Sequence, residues 1–162
     1  MRHFASALLR LLGLEARADS VEFGGRKVHI GAFPMGIDAA EFAETADKPE
    51  VLRSAEQIRN DPHPCRLFVA VDRLDYSKGI PRRLMAFERF LELNRDLQNK
   101  VRLIQVAVPS RDNIGSYQRL RRQVEELLGR INSRFATPTW VPIHSMYRSL
   151  GREEVIALYR AA

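Results

Sequence analysis

One cysteine, one tryptophan, four lysines and four histidines are all that this 162-residue sequence holds of those types, and no apolar run approaches membrane-spanning length. Each shortage excludes something. Cys65 has no partner for an intrachain disulfide, and His3, His29, His63 and His144 are scattered without ligand spacing. A disulfide scaffold and a structural metal site are therefore not expected. The longest apolar stretches, such as Leu67 to Val71, stop far short of the roughly 18 residues that a transmembrane helix needs. Phe4 to Leu9 is cut by Arg10 and no small-residue cleavage site follows, so it reads as a helix and not as an export signal. Neither a membrane nor an oxidising compartment is implied, and cytoplasmic residence is the expectation. Lys78 lacks the spaced glycines of a Walker loop and no G-x-G-x-x-G follows an apolar run, which takes support from mononucleotide kinase and NAD chemistry.

What is present is the composition of a folded chain. Hydrophobic residues make up 45% and charged residues 28%, enough apolar material at this length to bury a core. The 26 basic residues exceed the 20 acidic ones by six, and 22 of the 26 are arginine. Arginine suits a bidentate grip on phosphate, so its position relative to a backbone anion site matters more than the net charge.

The pattern alternates between helical and extended periods. Phe4, Leu8, Leu11 and Leu12 recur at helical spacing before Gly13. Val21–Phe23 and Arg26–Ile30 flank Gly24-Gly25 as a hairpin. Asp38 to Asn60 reads as two short helices broken at Pro49, with a domain linker near residue 47. Pro62 and Pro64 stop any helix there. Leu67–Val71 is a continuous apolar run of the kind found in parallel strands buried on both faces, and Val101–Val108 reads as a second such strand. Between them Pro81 opens a helix whose apolar face is Leu84, Phe87 and Leu91, broadened by Met85 and Phe90. A further helix is expected from about Ser116 to Leu128, ended by Gly129. Trp140–Ile143 is a strand candidate interrupted by Pro142. A last helix, Arg152–Arg160, places Val155, Leu158 and Tyr159 on one side. The fold class is α/β.

Two loops sit where such a fold binds ligands, beyond the carboxyl ends of strands. The first, Val71-Asp72-Arg73-Leu74-Asp75-Tyr76-Ser77-Lys78-Gly79, places two cations before a helix whose first N–H groups and dipole also favour anions. Two readings stand. Arg73 and Lys78 hold a diphosphate and stabilise its charge as it leaves, or they pair with Asp72 and Asp75 on the surface, where ion pairs contribute little. The second loop, Pro109-Ser110-Arg111-Asp112, offers Arg111 to another anion, or it only caps the next helix through Ser110 or Asp112. The basic run of Arg119, Arg121, Arg122, Arg130 and Arg134 is interrupted by Glu125 and Glu126 at ion-pair spacing and has no interleaved aromatics. It reads as a solvated helix face and not as a nucleic-acid surface. Cys65 reads as packed, not nucleophilic, and Trp140 and Tyr147 as core or rim residues.

Three segments in order, Gly31-Ala32-Phe33-Pro34-Met35-Gly36-Ile37-Asp38, Val71 to Gly79 and Pro109-Ser110-Arg111, resemble successive motifs of the trehalose-6-phosphate synthase family. That family comprises retaining glucosyltransferases of the two-domain GT-B fold. The resemblance continues through Tyr117-Gln118, Gly129-Arg130-Ile131-Asn132 and Leu158-Tyr159-Arg160-Ala161. It implies a partial GT-B architecture with Rossmann-like layers, in which residues 1–47 end the acceptor-side domain and residues 48–162 form the first half of the donor domain. It implies transfer of glucose from UDP-glucose to glucose 6-phosphate, giving trehalose 6-phosphate and UDP. Arg73 and Lys78 would then bind the donor diphosphate and act in catalysis, and Arg111 would bind the acceptor phosphate, with no metal or other cofactor. The family's upstream donor loop and downstream D-G-M-N-L-V-A-K-E type motif are not in these 162 residues. Inactivity of the chain alone is therefore expected, and a non-catalytic module with a weak nucleotide or phosphate site is the alternative. Unprotected sheet edges predict marginal stability or association into a homo-oligomer.

Overall fold

Val101 through Ala107, with Arg102 and Gln105 among them, become seven consecutive buried residues in the middle strand of a three-stranded parallel sheet. The structure is a computed structural model and describes residues 2–17, 19–60, 64–110 and 114–162. It divides into two compact units, Met1–Asp38 and Ala39–Ala162.

The first unit holds helix α1 (Arg2–Leu12) and the hairpin β1 (Ser20–Phe23) and β2 (Arg26–His29). Gly13 ends the helix at φ 65°, and Gly24 and Gly25 make the hairpin turn at φ 57° and 70°, angles that only glycine takes up freely. Ser20 pairs with His29 and Phe23 with Arg26, the register that a two-residue turn imposes.

The second unit contains the α/β layer. Helices α2 (Ala39–Ala46) and α3 (Pro49–Asn60) are followed by β3 (Arg66–Arg73), α4 (Ile80–Leu93), β4 (Val101–Val108), α5 (Gly115–Phe135), β5 (Ile143–Met146) and α6 (Arg152–Ala161). The strand order is β3-β4-β5, with Arg66 opposite Val101, Arg73 opposite Val108, and Leu103 opposite Ile143. The two-residue period of β4 sorts its side chains between two layers. Val101, Leu103 and Ala107 join Leu84, Phe87 and Leu91 of α4, Val124 and Ile131 of α5, and Trp140. Ile104 and Val106 face the other way, against Leu158 of α6 and Ile58 of α3.

Several expectations need correction. Burial on both faces holds for β4 but not for β3, which is an edge strand with Phe68 47% exposed. Helix α5 does not stop at Gly129 but continues to Phe135. Ile131 and Phe135 extend its apolar face onto the core, and that burial outweighs the glycine's cost of about 1 kcal/mol within a helix. The last strand begins where the expected one ends. Trp140 lies in a turn closed by Thr137, its ring is buried, and its indole Nε1–H donates to the Val101 carbonyl at 2.9 Å. On α6 the buried side is Ile156, Ala157, Leu158 and Ala161, with Tyr159 half exposed. The compact units divide between Asp38 and Ala39. Phe42 and Ala46 of α2 pack with Val51, Ile156 and Ala157, which ties α2 to the second unit.

Candidate functional site

Because β3, β4 and β5 are parallel, their carboxyl ends lie along one edge, and the loop from β3 to α4 begins there. Arg73 is the last residue of β3 and is exposed. Leu74 behind it is 1% exposed and its N–H donates to the Val108 carbonyl at 2.8 Å, which pins the loop's first residue to the sheet. Asp75 then caps a single 3₁₀ turn, Tyr76–Lys78, in an extended conformation. Its Oδ1 accepts from the Ser77 N–H at 2.9 Å and from the Ser77 hydroxyl at 2.7 Å. Its Oδ2 accepts from the Tyr117 hydroxyl at 3.0 Å. The Ser77 and Tyr117 hydrogen bonds, with a smaller contribution from the Arg73 charge, lower the Asp75 carboxyl to about 2.

Gly79 follows at φ 64° and its N–H donates to the Tyr76 carbonyl, so the chain reverses directly into α4 with Pro81 in the first turn. No acidic residue occupies that turn. The amino end of α4 therefore keeps its positive character close to Lys78, which is exposed. Asp72 is held from the helix side. Its Oδ2 accepts from Arg83 Nη1 at 2.7 Å, and the same nitrogen donates to Gln105 Oε1, on a fully buried side chain, at 3.0 Å.

This arrangement bears on the surface ion-pair reading of the loop's cations. Asp72 is engaged by Arg83, and Asp75 by Ser77 and Tyr117. Among the described residues no salt bridge joins Arg73 or Lys78 to either carboxylate. Two exposed cations thus stand at the carboxyl edge of the sheet, beside a helix amino end, without a local anion bound to them. An anionic ligand would meet both charges and the helix dipole together.

Arg111 lies outside the described residues, as does Asp112. The described neighbours, Ser110 after β4 and Ile114 before α5, leave and enter those elements at the same edge of the sheet as Arg73. Ser110 does not cap α5, whose N-cap residue is Ile114. The residues that sequence reasoning missed are those that hold the loop. Ser77 had a local signal, because Asp-x-Ser is the spacing of an aspartate cap. Tyr117 had none, since it reaches Asp75 across 42 positions.

Other candidates resolve into structure. Arg130 and Arg134 reach from α5 to Glu88 and Glu92 on α4, and Arg121 pairs with Glu125. Cys65 is buried with its thiol 3.7 Å from the Asn99 carbonyl, and burial pushes the thiol above its ordinary pKa, the direction that suppresses thiolate chemistry. Tyr147 lies under the Arg121 guanidinium at 4.2 Å. Among the described residues no group of histidine, cysteine and carboxylate side chains is placed to hold a metal ion, and no helix is long and apolar enough to cross a membrane.

The sequence model of glycosyltransferase family 20 matches residues 1–162. The chain belongs to glycosyltransferase family 20. Within the family, it is 46% identical over 158 residues to the 56 kDa subunit of the UDP-forming alpha,alpha-trehalose-phosphate synthase of Kluyveromyces lactis, covering 98% of the chain and 32% of that protein. The structure superposes with a TM-score of 0.92 on a UDP-forming alpha,alpha-trehalose-phosphate synthase from Burkholderia xenovorans in complex with glucose-6-phosphate, at 36% identity over 99% of this chain and 36% of that one. A trehalose-6-phosphate protein from E. coli bound with UDP-2-fluoro glucose matches with a TM-score of 0.86 at 29% identity, over 98% of this chain and 35% of that one. This family 20 chain thus spans about a third of the relatives it matches, and its parallel α/β layer agrees with the expected partial GT-B architecture.

Proposed function

We propose that the chain supplies the donor-diphosphate site of a UDP-forming trehalose-phosphate synthase, which transfers glucose from UDP-glucose to glucose 6-phosphate. One observation carries the reading: Arg73 and Lys78 project at the carboxyl edge of the sheet while both carboxylates of their loop are engaged by other residues. The substrates bound in two solved relatives, glucose 6-phosphate in one and a fluorinated UDP-glucose in the other, support it.

In this reading the bond between C1 of glucose and the β-phosphate oxygen breaks, and its electron pair leaves on UDP. A hydroxyl oxygen of glucose 6-phosphate bonds to C1, and its proton passes to the departing UDP. Negative charge grows on the diphosphate as it departs, and cations already in place stabilise that charge more than the ground state. Arg73 and Lys78 supply it without a metal, and Arg111 takes the acceptor phosphate. The engagement of Arg121, Arg130 and Arg134 by glutamates favours small phosphorylated substrates over nucleic acid. Cytoplasmic action belongs to the same reading, as does self-association through the open sheet edges.

The test is UDP binding to the 162-residue chain by calorimetry. Arg73→Ala and Lys78→Ala are each expected to weaken it at least tenfold. Within a complete synthase, either substitution is expected to slow turnover about a hundredfold, on the order of 3 kcal/mol. Unchanged affinity in both variants would sink the diphosphate role. A second reading is a non-catalytic module that keeps the phosphate site. Turnover of UDP-glucose and glucose 6-phosphate by the chain unaided would eliminate it.

A further inference from the structure

Asp75 is an anion placed between the two cations proposed to bind a diphosphate, and left free it would repel the ligand and compete for Arg73 and Lys78. The structure engages both of the Asp75 oxygens with other donors. Ser77 delivers two hydrogen bonds to Oδ1, and Tyr117 delivers one to Oδ2 from another element, the first turn of α5. Tyr117 is 4% exposed, so its hydroxyl arrives from a fixed, packed ring. That ring also meets Tyr76, inside the same loop, edge-on with centroids 6.2 Å apart. The 3₁₀ turn that carries Lys78 is thus fastened to α5 at two points, a hydrogen bond to its cap residue and a ring contact to its first residue.

We infer that Tyr117 is a positioning residue for the diphosphate loop, its hydroxyl bond to Asp75 holding the 3₁₀ turn so that Lys78 and Arg73 face the ligand together. This rests on the reading of Arg73 and Lys78 as the diphosphate site. It goes beyond it by assigning the loop's geometry to a residue of another element, α5. A turn of three residues with one backbone bond at each end has little stiffness of its own, and a donor from a packed helix supplies the missing constraint. The Asp75 carboxylate is also the better acceptor for being charged, so the bond to Tyr117 is a charge-assisted one.

Tyr117→Phe keeps the ring and removes only the hydroxyl, and Asp75→Asn weakens the same bond from the other side. Two readouts are taken on the 162-residue chain: UDP affinity by calorimetry, and amide hydrogen exchange at Ser77, whose N–H is held by Asp75. Tyr117→Phe is expected to weaken UDP binding roughly fivefold to tenfold, the range for one hydrogen bond, and to speed exchange at Ser77 while exchange in β4 stays unchanged. The double variant Tyr117→Phe with Asp75→Asn is expected to be no weaker than the poorer single one, because both remove one interaction. If Tyr117→Phe leaves UDP affinity and Ser77 exchange as in the parent while Arg73→Ala abolishes binding, the positioning role is wrong and the diphosphate site stands. If Arg73→Ala and Lys78→Ala bind UDP like the parent, the diphosphate reading falls and takes this inference with it. Faster exchange throughout β4 would mean that the substitution acts by loosening the fold, which also overturns it.

Discussion

A carboxylate that accepts three hydrogen bonds in the folded chain and none in the unfolded one must titrate differently in the two. Asp75 ionises at about 2 when folded, against an ordinary value of 3.8. The folded state therefore binds that proton less tightly than the unfolded state. The resulting stabilisation is fully present above the ordinary pKa and fades as pH falls from about 4 toward 2. Asp75→Asn removes this titration. Urea unfolding of the parent and the variant at a series of pH values is expected to show the parent more stable at pH 5 and 6, with the gap closing progressively below pH 4. A gap that stays constant down to pH 2 would mean that the Ser77 and Tyr117 bonds do not depend on the charge. The same residue shows how far the site could be read from sequence. The placement of Arg73 and Lys78 at the carboxyl edge of the sheet was legible because they follow an apolar run of strand character. That other residues would engage both local carboxylates was not legible, because two of those partners, Arg83 and Tyr117, come from helices that only tertiary packing brings near.

At the scale of elements, α5 shows how a local stop signal loses to a long apolar stripe. Val124, Leu127, Leu128, Ile131 and Phe135 form one face against the core, and interrupting the helix at Gly129 would strand the last two. Gly129 itself is exposed, its φ is not in the left-handed region, and an added Cβ would meet nothing within 4 Å. Gly129→Ala is accordingly expected to stabilise the chain by up to about 1 kcal/mol, read as a higher urea midpoint with unchanged slope. A loss of stability would show that Gly129 serves a contact beyond helix propensity. The extra turns of α5 also relocate the strand that follows. Asn132, in the continued segment, donates from Nδ2 to the Ile143 carbonyl at 3.0 Å and accepts at Oδ1 from the Ile143 N–H at 3.1 Å. A side-chain amide thereby takes both backbone bonds of the first residue of β5, a long-range device without periodicity. The strand was for that reason expected too early, around the apolar Trp140. Elements whose period and flanks agree, such as the Gly24-Gly25 hairpin, β4 and α4, were legible within a residue or two of their ends.

For the whole chain, burial is distributed very unevenly between the two compact units, and stability should follow. In the first unit Ser20 and Val21 are buried while Leu11, Phe33 and Met35 are 81%, 88% and 99% exposed. In the second, all of β4 from Val101 to Ala107 is buried between two helical layers. Regions with few buried apolar contacts open at small free energies, whereas a central strand opens only with the global transition. Hydrogen exchange on the isolated 162-residue chain is therefore expected to give near-unprotected amides in the described residues up to Asp38 outside the hairpin, intermediate protection in β1–β2 and the slowest exchange in β4. Brief proteolysis should cut within residues 1–38 first and leave residues 39–162 as a resistant product that keeps the Arg73 and Lys78 loop. Its UDP affinity should then match that of the intact chain, since every residue described as holding the loop, from Asp72 to Tyr117, belongs to the second unit. Equal protection of both units, or loss of UDP binding on removal of residues 1–38, would instead show that the first unit is an integral part of the folded site.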